Sequence, residues 1–140
     1  MLLKEKSMER FSLAVMTLVL CFGFPNRASS SEDQPEREVQ VGISAVYVPS
    51  GFGIDSEVYV VASGVFPNDC YRWNRAEVSH VGEFVHEVKS IARVNQGLCL
   101  MVVVAFSREV KLGKFAAGTH ILRFLNGDGT YLEKSLSVEE

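Results

Sequence analysis

From Val39 onward the chain alternates apolar and polar residues in short runs, and each run closes on a turn signal. Val39, Val41, Ile43, Ala45 and Tyr47 alternate with Gln40, Gly42 and Ser44, which gives an extended strand one apolar and one polar face. Pro49-Ser50-Gly51-Phe52-Gly53 is a turn-rich loop, since glycine and proline punctuate regular structure. Val58, Val60, Ala62, Gly64 and Phe66 then repeat the two-residue period until Pro67-Asn68-Asp69 ends it. Further runs cover residues 70–79 and 83–95. In the second of these, charges four residues apart would also suit a helix, so the strand assignment is most open over 82–94. CLMVVVAF at 99–106 is apolar on both faces, the pattern of a central strand buried on two sides. A short strand is expected at 109–112. HILRFLN (120–126) and TYLEKSLSV (130–138) flank Asn126-Gly127-Asp128-Gly129, a hairpin signal because Asn and Gly accept positive φ at little cost. Seven or eight short strands without a capped helical period predict an all-β chain, an antiparallel β-sandwich, with a β-barrel as the alternative.

The first thirty residues follow another rule. Lys4, Lys6 and Arg10 precede an uncharged run from Phe11 to Phe24, too short for the roughly 20 residues of a membrane span but long enough for the apolar core of a signal peptide. Pro25 breaks the run, and Ala28-Ser29-Ser30 supplies small residues for cleavage after Ser30. The alternatives are a buried N-terminal helix and a retained anchor. The expected organisation is a signal peptide over 1–30, a disordered polar leader over 31–38 and a β-sandwich domain over 39–140. The mature chain has no membrane span on this reading and is secreted or periplasmic. Cys21 follows Leu20, where a lipidated cysteine normally follows a small residue, so Cys21 is expected to leave with the signal; lipidation is the alternative.

Export changes the charge and the cysteine arithmetic. Loss of residues 1–30 removes four of the 14 basic and two of the 17 acidic groups, leaving a net charge of −5. Such a surface disfavours nucleic acid or an anionic membrane as partner. Two cysteines remain, Cys70 and Cys99, an even number in an oxidising compartment. A structural disulfide is the expected use. A free, catalytic or metal-binding pair would need a neighbouring Cys-x-x-Cys or histidine spacing that the sequence lacks.

Several pieces occur in order: Gly64-Val65-Phe66-Pro67-Asn68-Asp69-Cys70, then Gly97-Leu98-Cys99, Phe106, Val110-Lys111-Leu112-Gly113, and Gly118-Thr119-His120-Ile121-Leu122-Arg123-Phe124-Leu125-Asn126-Gly127. Together they resemble small secreted bacterial immunoglobulin-like modules, over about residues 40–138. The resemblance implies an immunoglobulin-like sandwich and no particular activity. His120 departs from it, because such modules often place a Tyr near the start of the penultimate strand.

Motifs for chemistry are few. His80, His86 and His120 form no H-x-x-x-H or H-x-H pair, so no metal site is expected and the three are assigned to surface or edge positions. Asn126-x-Asp128-Gly129 lacks the further acidic ligands of a calcium loop. Ser63-Gly64 has no G-x-S-x-G around it, and no phosphate-binding glycine motif appears. No catalytic residue and no cofactor is therefore expected. Recognition remains. Tyr71-Arg72-Trp73-Asn74-Arg75 holds the one Trp of the chain beside two arginines, the residue types that dominate interface hot spots. Phe52 stands between two glycines. Phe52, Arg72, Trp73 and Arg75 are the candidate contacts of an exported, non-enzymatic module that binds a protein or envelope partner. The competing bland assignment puts Phe52, Tyr71 and Trp73 in the core. The alternative function is a secreted peptidase inhibitor that uses the loops at 49–55 and 126–129 as wedges. One consequence can be measured directly. A bond between Cys70 and Cys99 closes a loop of about 30 residues, so reduction should cost about 3.5 kcal/mol by chain entropy and lower Tm markedly. Two free thiols by mass spectrometry in the native protein would overturn the pairing.

Overall fold

A computed structural model describes residues 35–140. The expected signal peptide, the expected cleavage after Ser30 and Cys21 lie outside the described residues. Nine strands occur among the described residues: β1 (Glu36–Val41), β2 (Ala45–Tyr47), β3 (Phe52–Gly53), β4 (Val58–Phe66), β5 (Tyr71–His80), β6 (Val85–Asn95), β7 (Val104–Gly113), β8 (Gly118–Leu125) and β9 (Tyr131–Glu139). No helix among them is long and apolar enough to cross a membrane.

The strands form a β-sandwich of a six-stranded and a three-stranded sheet. In the smaller sheet β4 lies between β2 and β7, antiparallel to both. In the larger sheet β6 pairs along one edge with β5. Its other edge is shared end to end by β8, over Val85–Lys89, and β1, over Ser90–Asn95. The β1–β8 junction is fastened by side chains. Gln40 Nε2 donates to the Leu125 carbonyl at 3.1 Å, and Ile43 N donates to Asn126 Oδ1 at 3.2 Å. β9 follows β8 as the expected hairpin, and β3 closes the far edge. Two pairings, β6–β8 and β3–β9, are parallel, so the sandwich is not antiparallel throughout.

Alternation placed the core well. Val58, Val60, Ala62 and Phe66 of β4 face Val88 and Ala92 of β6, Leu122 and Phe124 of β8, and Leu136 and Val138 of β9 in one buried cluster. Burial of such side chains contributes about 1.5–3 kcal/mol each before the entropy of ordering them is set against it. The 82–94 stretch is strand from Val85 onward, not helix, with His86, Val88, Ser90 and Ala92 turned inward. Only the Ser90 hydroxyl is buried without a hydrogen-bond partner among the described side chains.

Three expectations need correction. Residues 36–38 do not belong to a disordered leader, because β1 begins at Glu36 and its ladder to β6 orders Glu36, Arg37 and Glu38. The run 39–47 is two strands, because the chain leaves one sheet after Val41 and enters the other at Ala45. The stretch 99–106 is not a central strand. β7 starts only at Val104, continues through the expected 109–112 strand, and lies at a sheet edge. The cause is local: Cys99 is bonded to Cys70, Leu100 N donates to Asp69 Oδ1 at 2.7 Å, and Val102 N turns back to the Leu100 carbonyl at 2.8 Å. These bonds divert residues 99–103 from any ladder.

An aromatic stack joins the sheets near that point. Phe66 of β4 stacks on Phe106 of β7 with centroids 4.3 Å apart, and Phe106 meets Trp73 of β5 at 5.6 Å. Phe106 lies across Gly64, its ladder partner, where an added Cβ would stand 2.6 Å from Phe106 Cζ and 3.0 Å from the Gly42 carbonyl. Gly64→Ala should therefore tilt Phe106 out of the stack and cost about 1–3 kcal/mol by overpacking. Equilibrium denaturation should show this, and an unchanged midpoint would disprove the close fit.

Candidate functional site

The four residues singled out from the sequence do not form one surface. Phe52 is 6% exposed and packs edge-on against Tyr59 at 5.6 Å, so it plugs the sandwich. The 49–55 loop therefore has no exposed phenyl ring at Phe52 to serve as a wedge. Trp73 is half-buried and turned onto Phe106. Arg75 is exposed but engaged. Its Nη1 donates to Glu38 Oε1 at 2.6 Å and its Nη2 to Glu77 Oε1 at 2.8 Å. A bulge at Asn74 sets this up, and Asn74 Nδ2 also donates to Glu38 Oε1 at 2.7 Å. The Arg75 guanidinium holds the Glu38 carboxyl below the usual carboxylate range, chiefly through the hydrogen bond. Arg72 is exposed and has no ion pair among the described residues.

The structure displays instead a ridge, most of which falls in the 99–106 run expected to be a buried central strand. Leu98, Leu100, Met101, Val102 and Val103 are all exposed, Met101 by 82%. Val65 of β4, paired with Ala105, carries the apolar surface onto the outer face of the smaller sheet. Monomeric proteins seldom display contiguous apolar patches of large area, and such patches mark contact sites. This segment is held in place. The Cys70–Cys99 bond, with Cα atoms 5.4 Å apart, anchors its start. Asp69 then binds Leu100 twice, accepting from its N–H at Oδ1 and donating its own N–H to the Leu100 carbonyl at 3.3 Å. A fixed apolar segment loses little entropy when a partner covers it.

A second cluster lies at the opposite end of β5 and β7. His80 Nδ1 is 2.7 Å from His86 Nδ1, His86 Nε2 is 2.8 Å from His120 Nδ1, and His120 Nε2 donates to the Ala116 carbonyl at 2.7 Å. His86 and His120 are 3% and 1% exposed. The expected surface or edge placement thus holds for His80 alone. Phe115 stacks on His86 at 4.1 Å, and Phe84 tilts over His120 at 5.0 Å. Burial, then repulsion from His80 and His120, pushes the pKa of His86 down to about 4. His86 therefore stays neutral near pH 7. Among the described residues no three side chains converge as a metal would require; His86 spends its two ring nitrogens on different neighbours. A shallow recess of about 240 Å³ opens beside the cluster, lined also by Gly82, Glu83 and Lys114.

A family model described as the ORF11 beta-sandwich domain matches residues 60–138, more than half of the chain. That span takes in the disulfide, the apolar ridge and all three histidines. No curated protein and no solved structure matches the chain.

The core and surface assignments separate in one measurement. Phe52→Ala should cost about 3 kcal/mol of stability through the cavity it leaves. Arg72→Ala should change stability by less than about 0.5 kcal/mol. Urea denaturation distinguishes them, and equal effects would contradict the placement of Phe52.

Proposed function

The chain belongs to the ORF11 β-sandwich domain family, and from that premise we propose that it is an exported, non-enzymatic binding module of the cell envelope that docks a protein partner. The observation that carries this is the clamped ridge of Leu98, Leu100, Met101, Val102 and Val103. Apolar side chains fixed in water are costly unless covered, and the apolar centre of a protein interface covers them. Export is supported by the basic start and uncharged run before Pro25 and by the disulfide. The net charge expected for the mature chain also favours a protein over nucleic acid or an anionic bilayer. Arg72 stands at the same end of β5 as the disulfide and is available for a polar contact at the rim.

The test places a photo-crosslinking amino acid at Met101 and, as a control, at Tyr131, which is also exposed. Both forms of the full-length protein are irradiated in their native cells and the adducts identified by mass spectrometry. A defined protein captured from position 101 and not from 131, and lost when Leu100→Glu and Val103→Glu are added, supports the proposal. Capture without preference for 101 overturns it. Adducts only with a second copy of the chain also overturn it, since the ridge would then be a self-association face.

A further inference from the structure

We propose that the three histidines form an acid-released clasp that holds the loop between β7 and β8 closed at neutral pH and lets it swing out when His86 is protonated. This goes beyond the docking ridge and does not depend on it.

The direction of the hydrogen bonds follows from one atom. The Ala116 carbonyl can only accept, so His120 Nε2 carries a proton. In the neutral cluster His120 Nδ1 is then bare and accepts from His86 Nε2–H. His86 Nδ1 is bare in turn and accepts from His80 Nδ1–H. The chain runs one way, from the exposed His80 to the loop carbonyl. In this neutral arrangement every buried ring nitrogen is satisfied. A second proton on His86 makes its Nδ1 a donor, so the exposed His80 must shift its own proton from Nδ1 to Nε2, and it places a charge where little water reaches.

The loop is built to move as a unit. Its two ends are Gly113 and Gly118, with φ of 95° and 132°, a region that glycine enters without strain. Between them only Phe115 is buried; it belongs to the core cluster, and its aromatic neighbours are the histidines: His86 at 4.1 Å, His120 at 4.7 Å and His80 at 5.9 Å. The groups that titrate are thus one of the loop's two fastenings, the other being the apolar contact of Phe115 with the core. The other charged groups lining the recess are Glu83 from the β5–β6 turn and Lys114 from the loop itself, both exposed. Glu87 and Arg123 alternate to the outer face of the sheet, and β9 sets Leu136 opposite His120.

The sign follows from linkage. His86 has a pKa of about 4 when closed and about the ordinary 6.5 when solvated. Between these values the open form binds more protons, so closure is fully favoured above about pH 6.5 and weakens as pH falls toward 4. From pH 7 to 4 the opening constant should rise about a hundredfold, because the open form binds the His86 proton about three hundredfold more tightly and the closed form is itself about half protonated at pH 4.

NMR of the full-length protein with 15N-labelled histidine tests this between pH 7 and 4. The His120 Nε2–H, corrected for its intrinsic exchange rate, should exchange about a hundredfold faster at pH 4. Nuclear Overhauser contacts between Phe115 and His86 should vanish, while the amides of Val60 and Ala62 in β4 keep their protection. Phe115 contacts that persist at pH 4 overturn the proposal. So does simultaneous loss of β4 protection, which would be global unfolding. His86→Gln, neutral at both pH values, should keep the loop shut at pH 4, and opening in that variant also overturns the clasp. Should His86→Gln fail to fold, the measurements on the unaltered protein decide alone.

Discussion

The Cys70–Cys99 bond joins the residue before β5 in one sheet to the segment leading into β7 in the other. Two sheets packed only by side chains can slide, whereas a covalent tie at one end fixes how their inner faces meet. The aromatic stack of Phe66, Phe106 and Trp73 lies directly beyond this tie and depends on it. Phe106 must lie flat across Gly64 while its other side receives Trp73 from the opposite sheet. The same bond has an outward effect. It pulls Cys99 toward the 67–70 turn, and Asp69 then captures Leu100, so the apolar residues that follow have no ladder to join. Display of the ridge and closure of the core therefore share one cause.

Much of the fold was legible because alternation reports burial wherever a strand has one wet face. Val58, Val60, Ala62 and Phe66 were identified by that rule, and so was the hairpin around Asn126-Gly127-Asp128-Gly129. The rule failed where a run is apolar on both faces. Leu98 to Val103 gives the same pattern whether the protein's own second layer covers it or a partner does, and periodicity cannot tell these apart. Phe52 misled in the opposite sense. Flanking glycines suggested a displayed ring, but its pairing beside Val138 turns it into the end of the core.

The histidines show where spacing ceases to inform. His80 and His86 are equidistant from the centre of the β5–β6 turn, which lies at 83, and so they pair. The runs read from the sequence, 70–79 and 83–95, centre the turn at 81 instead, which would set His86 opposite Ala76 rather than Ser90 opposite Ala76 as observed. His120 has no such turn to place it. It joins the pair only because β8 lies parallel to β6, with Val85 opposite Ile121, and a parallel pairing 36 residues apart is set by tertiary packing alone. Burial of a polar trio of this kind is tolerable because each ring satisfies the next, which makes the trio sensitive to a single added proton.

β7 connects the two ends of the molecule. Its ten residues span about 30 Å at the usual rise of a strand. Before its start stands a covalent clamp, indifferent to pH over the ordinary range and broken only by reductant. Beyond its end stands a hydrogen-bonded clamp, indifferent to reductant and broken by acid. The Arg108, Glu109 and Lys111 side chains between them are exposed on an open edge, where charge discourages unwanted strand addition along the middle of β7. The edge is thereby divided. Apolar contact is concentrated at the disulfide end and movement at the histidine end, and the rigid strand between them lets each respond to its own condition without disturbing the other.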